Sequence, residues 1–298
     1  MIKSFEDLKL LAQKKDKKRL AVAAAEDKPV LEAVKAAVDL GIVEPILVGD
    51  EEKIIEISHQ IGLDLSKAEI IDEKDKVSAA REATRLVSSN QAHILMKGLV
   101  DTSIIMKQVL DKEIGLRTGN IISHAAVFHV DTYHKIFIVT DAAMNISPDL
   151  NQKKAIIENS VRLAHSLGLE KPKVAVIAAK EKVSTKMEAT VHAQELSNMN
   201  KEGLIEGCIV EGPFALDNAI SKEAAEHKGI ESTVAGDADI LLVPHIDAGN
   251  VLYKALTFLA GAKSAGIILG AKAPIVLTSR ADKQEAKLHS IILGVMLT

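Results

Sequence analysis

The sequence has one cysteine, no tryptophan and few aromatic residues of any kind. Among its 298 residues, the only cysteine is Cys208, and Phe, Trp and Tyr together make up 2%. A single cysteine excludes a disulfide within the chain and a cluster of thiolates around a metal ion. Because Cys208 opens the apolar run Cys208-Ile-Val210, we interpret it as a small core residue. Scarce aromatic residues also remove the usual platforms for stacking nucleic-acid bases.

The chain also lacks an excess of positive charge and any long apolar run. It carries 37 basic and 41 acidic residues, a formal net charge of -4, whereas nucleic-acid binding requires a basic surface. No apolar run approaches the roughly 20 residues that span a bilayer. The opening Met1-Ile-Lys-Ser-Phe-Glu-Asp7 lacks the apolar core of a signal peptide. We therefore expect a cytoplasmic protein with neither a nucleic-acid nor a membrane partner.

Short β-branched runs alternate with longer amphipathic segments along the whole chain. The short runs predict strands and the longer segments predict helices. Their alternation predicts βαβ crossovers, and hence a three-layer α/β fold with a mostly parallel sheet. The predicted strands are Arg19–Ala24, Pro45–Val48, Ala92–Met96, Ala125–Val130, Ile136–Thr140, Lys173–Ala178, Gly207–Val210, Ile240–Val243, Gly266–Leu269 and Ile275–Leu277. The predicted helices are Pro29–Leu40, Lys53–Ile61, Val77–Ser88, Thr102–Asp111, Gln152–Leu167, Lys186–Ser197, Ser221–His227, Asn250–Ala260 and Asp282–Leu297.

Ligands of open parallel sheets bind beyond the carboxyl ends of the strands, so the loops that follow strands are the candidate site. The loops that carry polar or glycine residues there are Glu26-Asp27, Lys97 to Ser103, Asp141 to Asn145, Glu211 to Pro213, Pro244 to Asn250 and Ser279 to Asp282. At the second of these, Thr102 or Ser103 is placed to cap a helix whose free N–H groups attract an anion, although such residues are usually only caps. Lys107, one turn further on, either adds positive charge to that site or is a solvated surface lysine.

Two loops in the middle of the chain each admit a binding and a structural interpretation. Asp141 and Asn145 follow a buried strand, where they either fix a ligand hydroxyl or close a turn. Gly249 and Asn250 mark a predicted helix start, and the glycine gives a ligand close access to the backbone. His245 in the same turn is either a catalytic base or, more commonly at such positions, structural.

The sharpest pair is Ser279-Arg280, which follows the last predicted strand. The planar fork of arginine matches phosphate or carboxylate oxygens, and the serine can donate to the same group or cap the final helix. An arginine at a helix start opposes the helix dipole by about 0.3–1 kcal/mol unless an anion is bound, which favours a ligand there. Asp282 and Glu285 supply carboxylates in the first turn of the predicted helix.

With these residues, the chain resembles the phosphate acetyl/butyryltransferase family, and most closely its phosphate butyryltransferase branch. The resemblance runs from Val48-Gly49 to the C-terminus. Its most specific parts are Asp247-Ala-Gly-Asn-Val-Leu-Tyr-Lys254, Leu259-Ala-Gly-Ala262 and Pro274 to Arg280. It implies two α/β domains with a cleft between them, as in isocitrate and isopropylmalate dehydrogenases, the first formed by residues 1–120 and 272–298 and the second by residues 121–271. It also favours a homo-oligomer.

The resemblance implies reversible transfer of a short-chain acyl group, with butanoyl expected, between coenzyme A and inorganic phosphate. Coenzyme A is then a substrate, and neither a tightly bound cofactor nor a metal is implied. Arg280 would anchor phosphate and Ser279 would assist at the carbonyl or the thiolate. The further substrate or phosphate contacts predicted are Lys107, Ser103, Thr102, Asn145, Gly249 and Asn250.

This sequence departs from the family pattern at the position of the proposed base. In the acetyltransferases an aspartate seven positions beyond the serine is the base, and here that position is Ala286. We therefore expect Asp282, with Glu285 second, to take the proton. The alternatives are a phosphate acetyltransferase, a non-catalytic homologue that binds coenzyme A or acyl phosphate, and a decarboxylating dehydrogenase. The last is disfavoured because no Gly-x-Gly-x-x-Gly follows a strand.

Overall fold

The computed structural model describes residues 2–279 and 282–298, and the chain divides into two compact units. Phe5–Asn120 and Ala265–Thr298 form one, here called the terminal unit. Ile121–Ser264, with the N-terminal residues up to Ser4, form the other, here called the central unit. The chain returns to the terminal unit at Ala265, whereas the sequence-based boundary was placed at 272. Among the described residues, no helix has both the length and the hydropathy needed to cross a membrane.

Helices and strands alternate through both units. As far as the start of the central unit they are α1 (Phe5–Ala12), β1 (Lys18–Ala23), α2 (Lys28–Asp39), β2 (Val43–Gly49), α3 (Glu51–Ile61), β3 (Glu69–Asp72), α4 (Lys76–Ser88), β4 (Ile94–Lys97) and α5 (Thr102–Val109). They continue with β5 (Ser123–His129), β6 (Phe137–Thr140), α6 (Leu150–Ser166), β7 (Lys173–Ile177), α7 (Glu188–Lys201), β8 (Ile209–Phe214), α8 (Leu216–Ile220), α9 (Lys222–His227), β9 (Ile240–Leu242), α10 (Ile246–Lys254), β10 (Lys263–Leu269), β11 (Ile275–Val276) and α11 (Gln284–Met296).

In the terminal unit, parallel strands lie in the order β3-β2-β1-β4-β11, and β10 pairs antiparallel with β11. The register places Val276 of β11 opposite Met96 of β4, and Met96 opposite Val22 of β1. Strands buried on both faces read as continuous apolar runs, as Leu20–Ala23 does here. Because the strands are parallel, the loops after β1, β2, β4 and β11 emerge at one edge of the sheet, here called the carboxyl edge.

Helix α11 lies against this sheet with its apolar residues inside. Ile291, Ile292 and Leu293 are fully buried, and a side chain at Gly294 would come within 3.0 Å of Ile94 in β4. His289 stacks on Phe5 of α1, with ring centroids 4.0 Å apart. The apolar C-terminal run is therefore core of the terminal unit.

In the central unit, the strands lie in the order β5-β6-β9-β7-β8, with β5 antiparallel to β6 and the others parallel. Its core gathers most of the few aromatic residues. Phe128 packs against Phe137 and against the edge of Tyr253, and the Tyr133 hydroxyl donates to the carbonyl of Ala238 at 2.7 Å.

The predicted mixed α/β fold is confirmed, and each predicted strand overlaps an observed one. The sequence-based assignment missed β3, α1 and α8, all short elements. It was wrong at the Gly249-Asn250 helix start, because α10 begins at Ile246 with His245 as its N-cap. It was also wrong for the last helix, which begins at Gln284 rather than Asp282.

Candidate active site

The turn that follows β11 brings Ser279 and Asp282 together at the carboxyl edge of the terminal unit. The backbone N–H of Ser279 donates to Oδ2 of Asp282 at 2.7 Å, and the N–H of Asp282 donates to the Ser279 carbonyl at 3.2 Å. Asp282 therefore lies before the helix and closes the turn, instead of occupying the first helical turn as predicted. Within the described residues, Oδ2 is the only side-chain oxygen of Asp282 with a hydrogen-bond partner. Arg280, the predicted phosphate anchor, lies outside the described residues.

Lys287 fastens this turn from the first part of α11. Its Nζ donates to the carbonyl of Ser279 at 2.8 Å and to that of Asp282 at 3.0 Å. The residue is only 2% exposed. Burial lowers the pKa of Lys287, and the carboxylates of Asp282 and Asp27 oppose that shift. Sequence analysis missed this residue, although its spacing from Ile291 places it on the apolar face of the helix.

Glu285 lies in the first turn of α11, as predicted, and is exposed. Its Oε1 is 3.9 Å from Nε2 of His289, four residues on, and His289 is the residue stacked on Phe5. The two candidate acids thus occupy different surroundings, and Asp282 is the one bonded to Ser279.

The loop after β4 lies beside the Ser279 turn, because β4 and β11 are neighbours. Gly98 is required there: a side chain would overlap the carbonyls of Ala23 and Ala24, to which the N–H groups of Gly98 and Leu99 donate at 2.8 and 2.7 Å. Lys97 is 5% exposed, and its Nζ donates to the carbonyls of Gly98 and Val100. The loop is thus packed tightly against the end of β1.

The predicted capping role of Thr102 or Ser103 is wrong, because the N-cap of α5 is Asp101. Thr102 and Ser103 are the first two residues of the helix, and both side chains are exposed. Lys107 lies in the last turn of α5 and is also exposed. Their roles as phosphate contacts stay predictions.

The loop after β1 contributes an acid that sequence analysis noted but did not assign. Glu26 is 9% exposed, and its Oε2 is buried with no hydrogen-bond partner in residues 2–279 and 282–298. Gly49, at the end of β2, faces it: a Cβ there would lie 3.3 Å from Cδ of Glu26 and closer still to Oε2. Asp27, the next residue, is the N-cap of α2, and its carboxylate opposes the pKa shift of Lys287. The loop after β1 thus packs on the end of β2 through Glu26 and interacts electrostatically with α11 through Asp27.

In the central unit, Asp141 and Asn145 close a turn, one of the two interpretations left open. Oδ1 of Asp141 accepts from the N–H groups of Ala143 and Met144, both at 2.9 Å. Nδ2 of Asn145 donates to Oδ2 of Asp141 at 2.6 Å and to the Ile122 carbonyl at 2.9 Å. Both amide hydrogens of Asn145 are therefore engaged inside the unit, and a role in phosphate binding stays a prediction.

Helix α10 packs directly on that turn, which explains Gly249. A side chain there would come within 2.8 Å of the Asp141 carbonyl and of Val243, so the glycine makes room for protein backbone rather than for a ligand. Nδ2 of Asn250 reaches the Ala142 carbonyl at 3.5 Å, and Nδ1 of His245 accepts from the N–H of Ala248 at 3.4 Å. His245 thus has the structural role of an N-cap.

Glu211 is also fastened within the central unit. The hydroxyl of Ser232 donates to its Oε2, and the hydroxyl of Thr233 donates to its Oε1 at 3.0 Å. Glu211 lines a cavity of about 430 Å³ together with Glu181 and Lys201. The acid fixes the segment between α9 and β9 to strand β8.

An α/β sheet with a Ser-Asp turn, a buried lysine and a second acid at one edge is a framework suited to acyl or phosphoryl transfer. The comparisons with known proteins narrow that class. The model of the Phosphate acetyl/butaryl transferase family matches residues 4–83 and 74–295, and the chain belongs to this family. The predicted resemblance and the prediction of a phosphate acyltransferase are thereby confirmed.

Three relatives illustrate the range of the family. The chain is 49% identical over 297 residues to a phosphate butyryltransferase of Clostridium beijerinckii, covering 100% of this chain and 98% of the relative. It is also 49% identical over 292 residues to a phosphate acetyltransferase of Thermotoga maritima, covering 98% and 99%. The crystal structure of a branched-chain phosphotransacylase from Enterococcus faecalis superposes with a TM-score of 0.83 at 35% identity, covering 94% and 98%.

Proposed function

We propose that this protein catalyses the reversible transfer of a short-chain acyl group, butanoyl in the first place, between coenzyme A and inorganic phosphate. The observation that carries the proposal is the match over the whole chain to a phosphate butyryltransferase at 49% identity. The Ser279–Asp282 turn supports it, because it joins a hydroxyl and a carboxylate at the carboxyl edge of a parallel sheet. Coenzyme A and phosphate enter and leave as substrates.

Asp282 is the proposed base. The thiol of coenzyme A has an ordinary pKa near 8.5 and is mostly protonated at neutral pH, so a base must accept its proton. Oδ2 of Asp282 is bonded to the backbone of Ser279, which leaves Oδ1 to take that proton. Glu285 is the weaker candidate, because it lies beside His289.

The transfer step forms one bond and breaks another at the acyl carbon. The thiolate sulfur attacks the carbonyl carbon of the acyl phosphate, and the carbonyl oxygen takes the negative charge. Ser279 donates its hydroxyl hydrogen to that oxyanion, a type of contact worth roughly 3–4 kcal/mol at a well-placed donor. The oxyanion then reforms the carbonyl, the bond from carbon to phosphate oxygen breaks, and phosphate leaves with Arg280 as its proposed anchor.

Lys287 is the proposed positioning residue for this step. The hydrogen bonds of its Nζ to described residues both go to backbone carbonyls of the turn, so it acts through Ser279 and Asp282 rather than on substrate. Its two hydrogen bonds fix the distance between the hydroxyl and the carboxylate, which transfer within a single site requires.

The test is a thiol-release assay with purified protein, butanoyl-CoA and phosphate. We expect phosphate-dependent release of free thiol and accumulation of butanoyl phosphate. Ser279→Ala and Asp282→Asn should each lower kcat at least 100-fold, whereas Glu285→Gln should retain most activity. Absence of phosphate-dependent thiol release with butanoyl, acetyl and branched donors would mean that the chain is a non-catalytic homologue.

The acyl preference needs its own comparison, because a phosphate acetyltransferase is as similar as the butyryltransferase. A single methylene in an apolar pocket changes transition-state binding by only about 1–3 kcal/mol. We expect kcat/KM to be highest for butanoyl-CoA among acetyl-, propanoyl-, butanoyl- and 2-methylpropanoyl-CoA. Acetyl-CoA in first place would make phosphate acetyltransferase the correct assignment. The homo-oligomeric state and the cytoplasmic location remain proposals, the first of which sedimentation of the purified protein would test.

A further inference from the structure

Glu26 is a buried carboxylate that the proposed reaction does not use. It follows β1, is 9% exposed, and its Oε2 is enclosed with no hydrogen-bond partner among the described residues. Leaving such a group unpaired is destabilising, and more so when the group is charged. Few native carboxylates are left in this state without a reason, and a ligand that supplies the missing donor is one such reason.

The surroundings of Glu26 do not neutralise it. The charge of Glu26 acts on Lys53, but Nζ of Lys53 is paired with Oδ2 of Asp50 at 2.8 Å. Gly49 provides the space for the carboxylate, because a Cβ at that position would overlap Oε2. The fold therefore makes room for the side chain beside β2 and supplies no donor to it.

The position of Glu26 relates it to the proposed active site. Glu26 follows β1, Ser279 follows β11, and β4 alone lies between those strands. Neighbouring strands are about 4.8 Å apart, so the two strand ends are separated by roughly 10 Å along the carboxyl edge. A ligand that reacts at Ser279 and extends along this edge for that distance reaches Glu26.

Of the substrates, coenzyme A is the one that offers donors on an uncharged segment. Phosphate and acyl phosphate are anions, and their oxygens would repel a carboxylate. The pantetheine arm of coenzyme A is uncharged and carries two amide N–H groups and a hydroxyl. Its second amide nitrogen and its hydroxyl lie roughly 9–12 Å from the sulfur when the arm is extended, at about 1.2 Å of reach per bond.

We propose that Glu26 binds coenzyme A by accepting a hydrogen bond from the second amide or the hydroxyl of the pantetheine arm. This inference rests on the proposed function, which places the thiol at Ser279. It makes Glu26 a substrate-binding residue and separates its role from that of Asp282, which receives the thiol proton.

Steady-state kinetics in the direction of acyl-CoA formation test the proposal, with butanoyl phosphate saturating and coenzyme A varied. Glu26→Gln keeps the shape of the side chain but loses the charge-assisted bond, so KM for coenzyme A should rise roughly 10-fold. The kcat and the KM for butanoyl phosphate should stay within about twofold of the parent values. Gly49→Ala, which displaces the carboxylate, should raise the same KM.

Glu52→Gln is the matched control. It removes one negative charge from the start of α3, close to Gly49, but its side chain is 88% exposed. Its KM for coenzyme A should equal that of the parent protein. An equal rise in Glu26→Gln and Glu52→Gln would show a general charge effect and overturn the proposal.

Truncated thiols identify the contacted part of the ligand. Dephospho-CoA and pantetheine retain the arm, so Glu26→Gln should raise KM by the same factor for both as for coenzyme A. A factor that disappears with pantetheine would place the contact on the nucleotide and overturn the assignment. A fall in kcat with a shifted pH profile would instead make Glu26 a base.

Calorimetric titration with coenzyme A alone separates this proposal from the proposed function. Parent protein that binds coenzyme A but forms no thioester contradicts the proposed function only, and the affinities of parent and Glu26→Gln still test the contact. Equal affinities in parent, Glu26→Gln and Gly49→Ala, all with the parent's thermal unfolding, would refute it.

Discussion

At the scale of single residues, Lys287 shows how a buried charge can serve geometry rather than stability. Its ammonium group satisfies two backbone carbonyls of the Ser279 turn, but burying it opposes its charged form. Replacing a buried ionic group by an apolar one of similar size is often close to neutral for stability. The turn, in contrast, has no other side chain donating to those two carbonyls among the described residues.

Lys287→Met should therefore separate activity from stability. We expect kcat to fall at least 10-fold, because the turn loses both hydrogen bonds, while the free energy of unfolding changes by no more than about 1–2 kcal/mol. Kinetics and urea denaturation of the same samples measure the two effects. Lys283→Met, at an exposed lysine four residues earlier, should change neither. A parallel loss of activity and stability would assign Lys287 to the core alone.

Cys208 is the second residue for which the structure gives a specific prediction, namely low reactivity of its thiol. It is 5% exposed, and burial, reinforced by the charge of Glu158, raises the pKa of its thiol to about 11. At pH 8 about one thiol in a thousand is then ionised, and the thiolate is the reactive form. We expect native protein to resist a disulfide reagent that labels the urea-unfolded chain completely within minutes. Rapid labelling of the native protein would show that strand β8 opens locally.

At the scale of elements, the close contact between α10 and the Asp141 turn explains why position 249 is a glycine. Alanine is the better helix former by about 1 kcal/mol, so propensity alone predicts that Gly249→Ala stabilises α10. The added Cβ would lie 2.8 Å from the Asp141 carbonyl, where both neighbours are backbone or packed core. Overpacking of this kind typically costs about 1–3 kcal/mol, and it outweighs the gain in propensity.

We therefore predict that Gly249→Ala lowers the free energy of unfolding by about 1–2 kcal/mol. Urea denaturation of the full chain measures it. Val251→Ala, at a 68% exposed position in the same helix, is the control and should change stability by less than about 0.5 kcal/mol. If Gly249→Ala were stabilising, α10 would have to shift away from the turn without cost.

At the scale of the whole molecule, the sequence predicted the alternating architecture because strands buried on both faces appear in it as short, continuous apolar runs. Helix starts were predicted less well. The pair Gly249-Asn250 has the composition of a helix start, but the actual start is set by His245, whose capping depends on the fold around it. Thr102 and Ser103 misled in the same way, since Asp101 takes the capping position.

The candidate site was predictable only where its residues are adjacent in sequence. Ser279 and Asp282 stand three positions apart, and the structure bonds them. Glu26 and Gly49 come from separate loops that meet because β1 and β2 pair in parallel, and no spacing in the sequence reports that contact. In the sequence, Lys287 belongs to an apolar helix, and its hydrogen bonds to the Ser279 turn are seen only in the structure. Tertiary pairing, rather than composition, creates these features.

Stability toward acid also depends on contacts made between elements. Asp237, before β9, accepts hydrogen bonds from Lys135 before β6, from Lys173 of β7 and from His134, at 2.6–2.8 Å. Burial by itself would raise the pKa of Asp237, but these three hydrogen bonds hold it well below its usual range. A carboxyl with a lowered pKa stabilises the fold fully above its unfolded pKa of about 3.9 and loses that contribution as pH falls further.

Asp237→Asn should accordingly destabilise the protein by about 1 kcal/mol at pH 7, a figure kept small because the Asp237 side chain is 39% exposed and partly screened. The difference from the parent protein should narrow below about pH 4, where Asp237 takes up a proton in the unfolded parent while the native carboxylate, with its lowered pKa, does not. Urea denaturation at pH 7, 5 and 3.5 measures the trend. Asp131→Asn, at an exposed aspartate in the same unit, should follow the parent at every pH. A gap that stays constant from pH 7 to pH 3.5 would show that Asp237 acts through the shape of its hydrogen bonds and not through its charge.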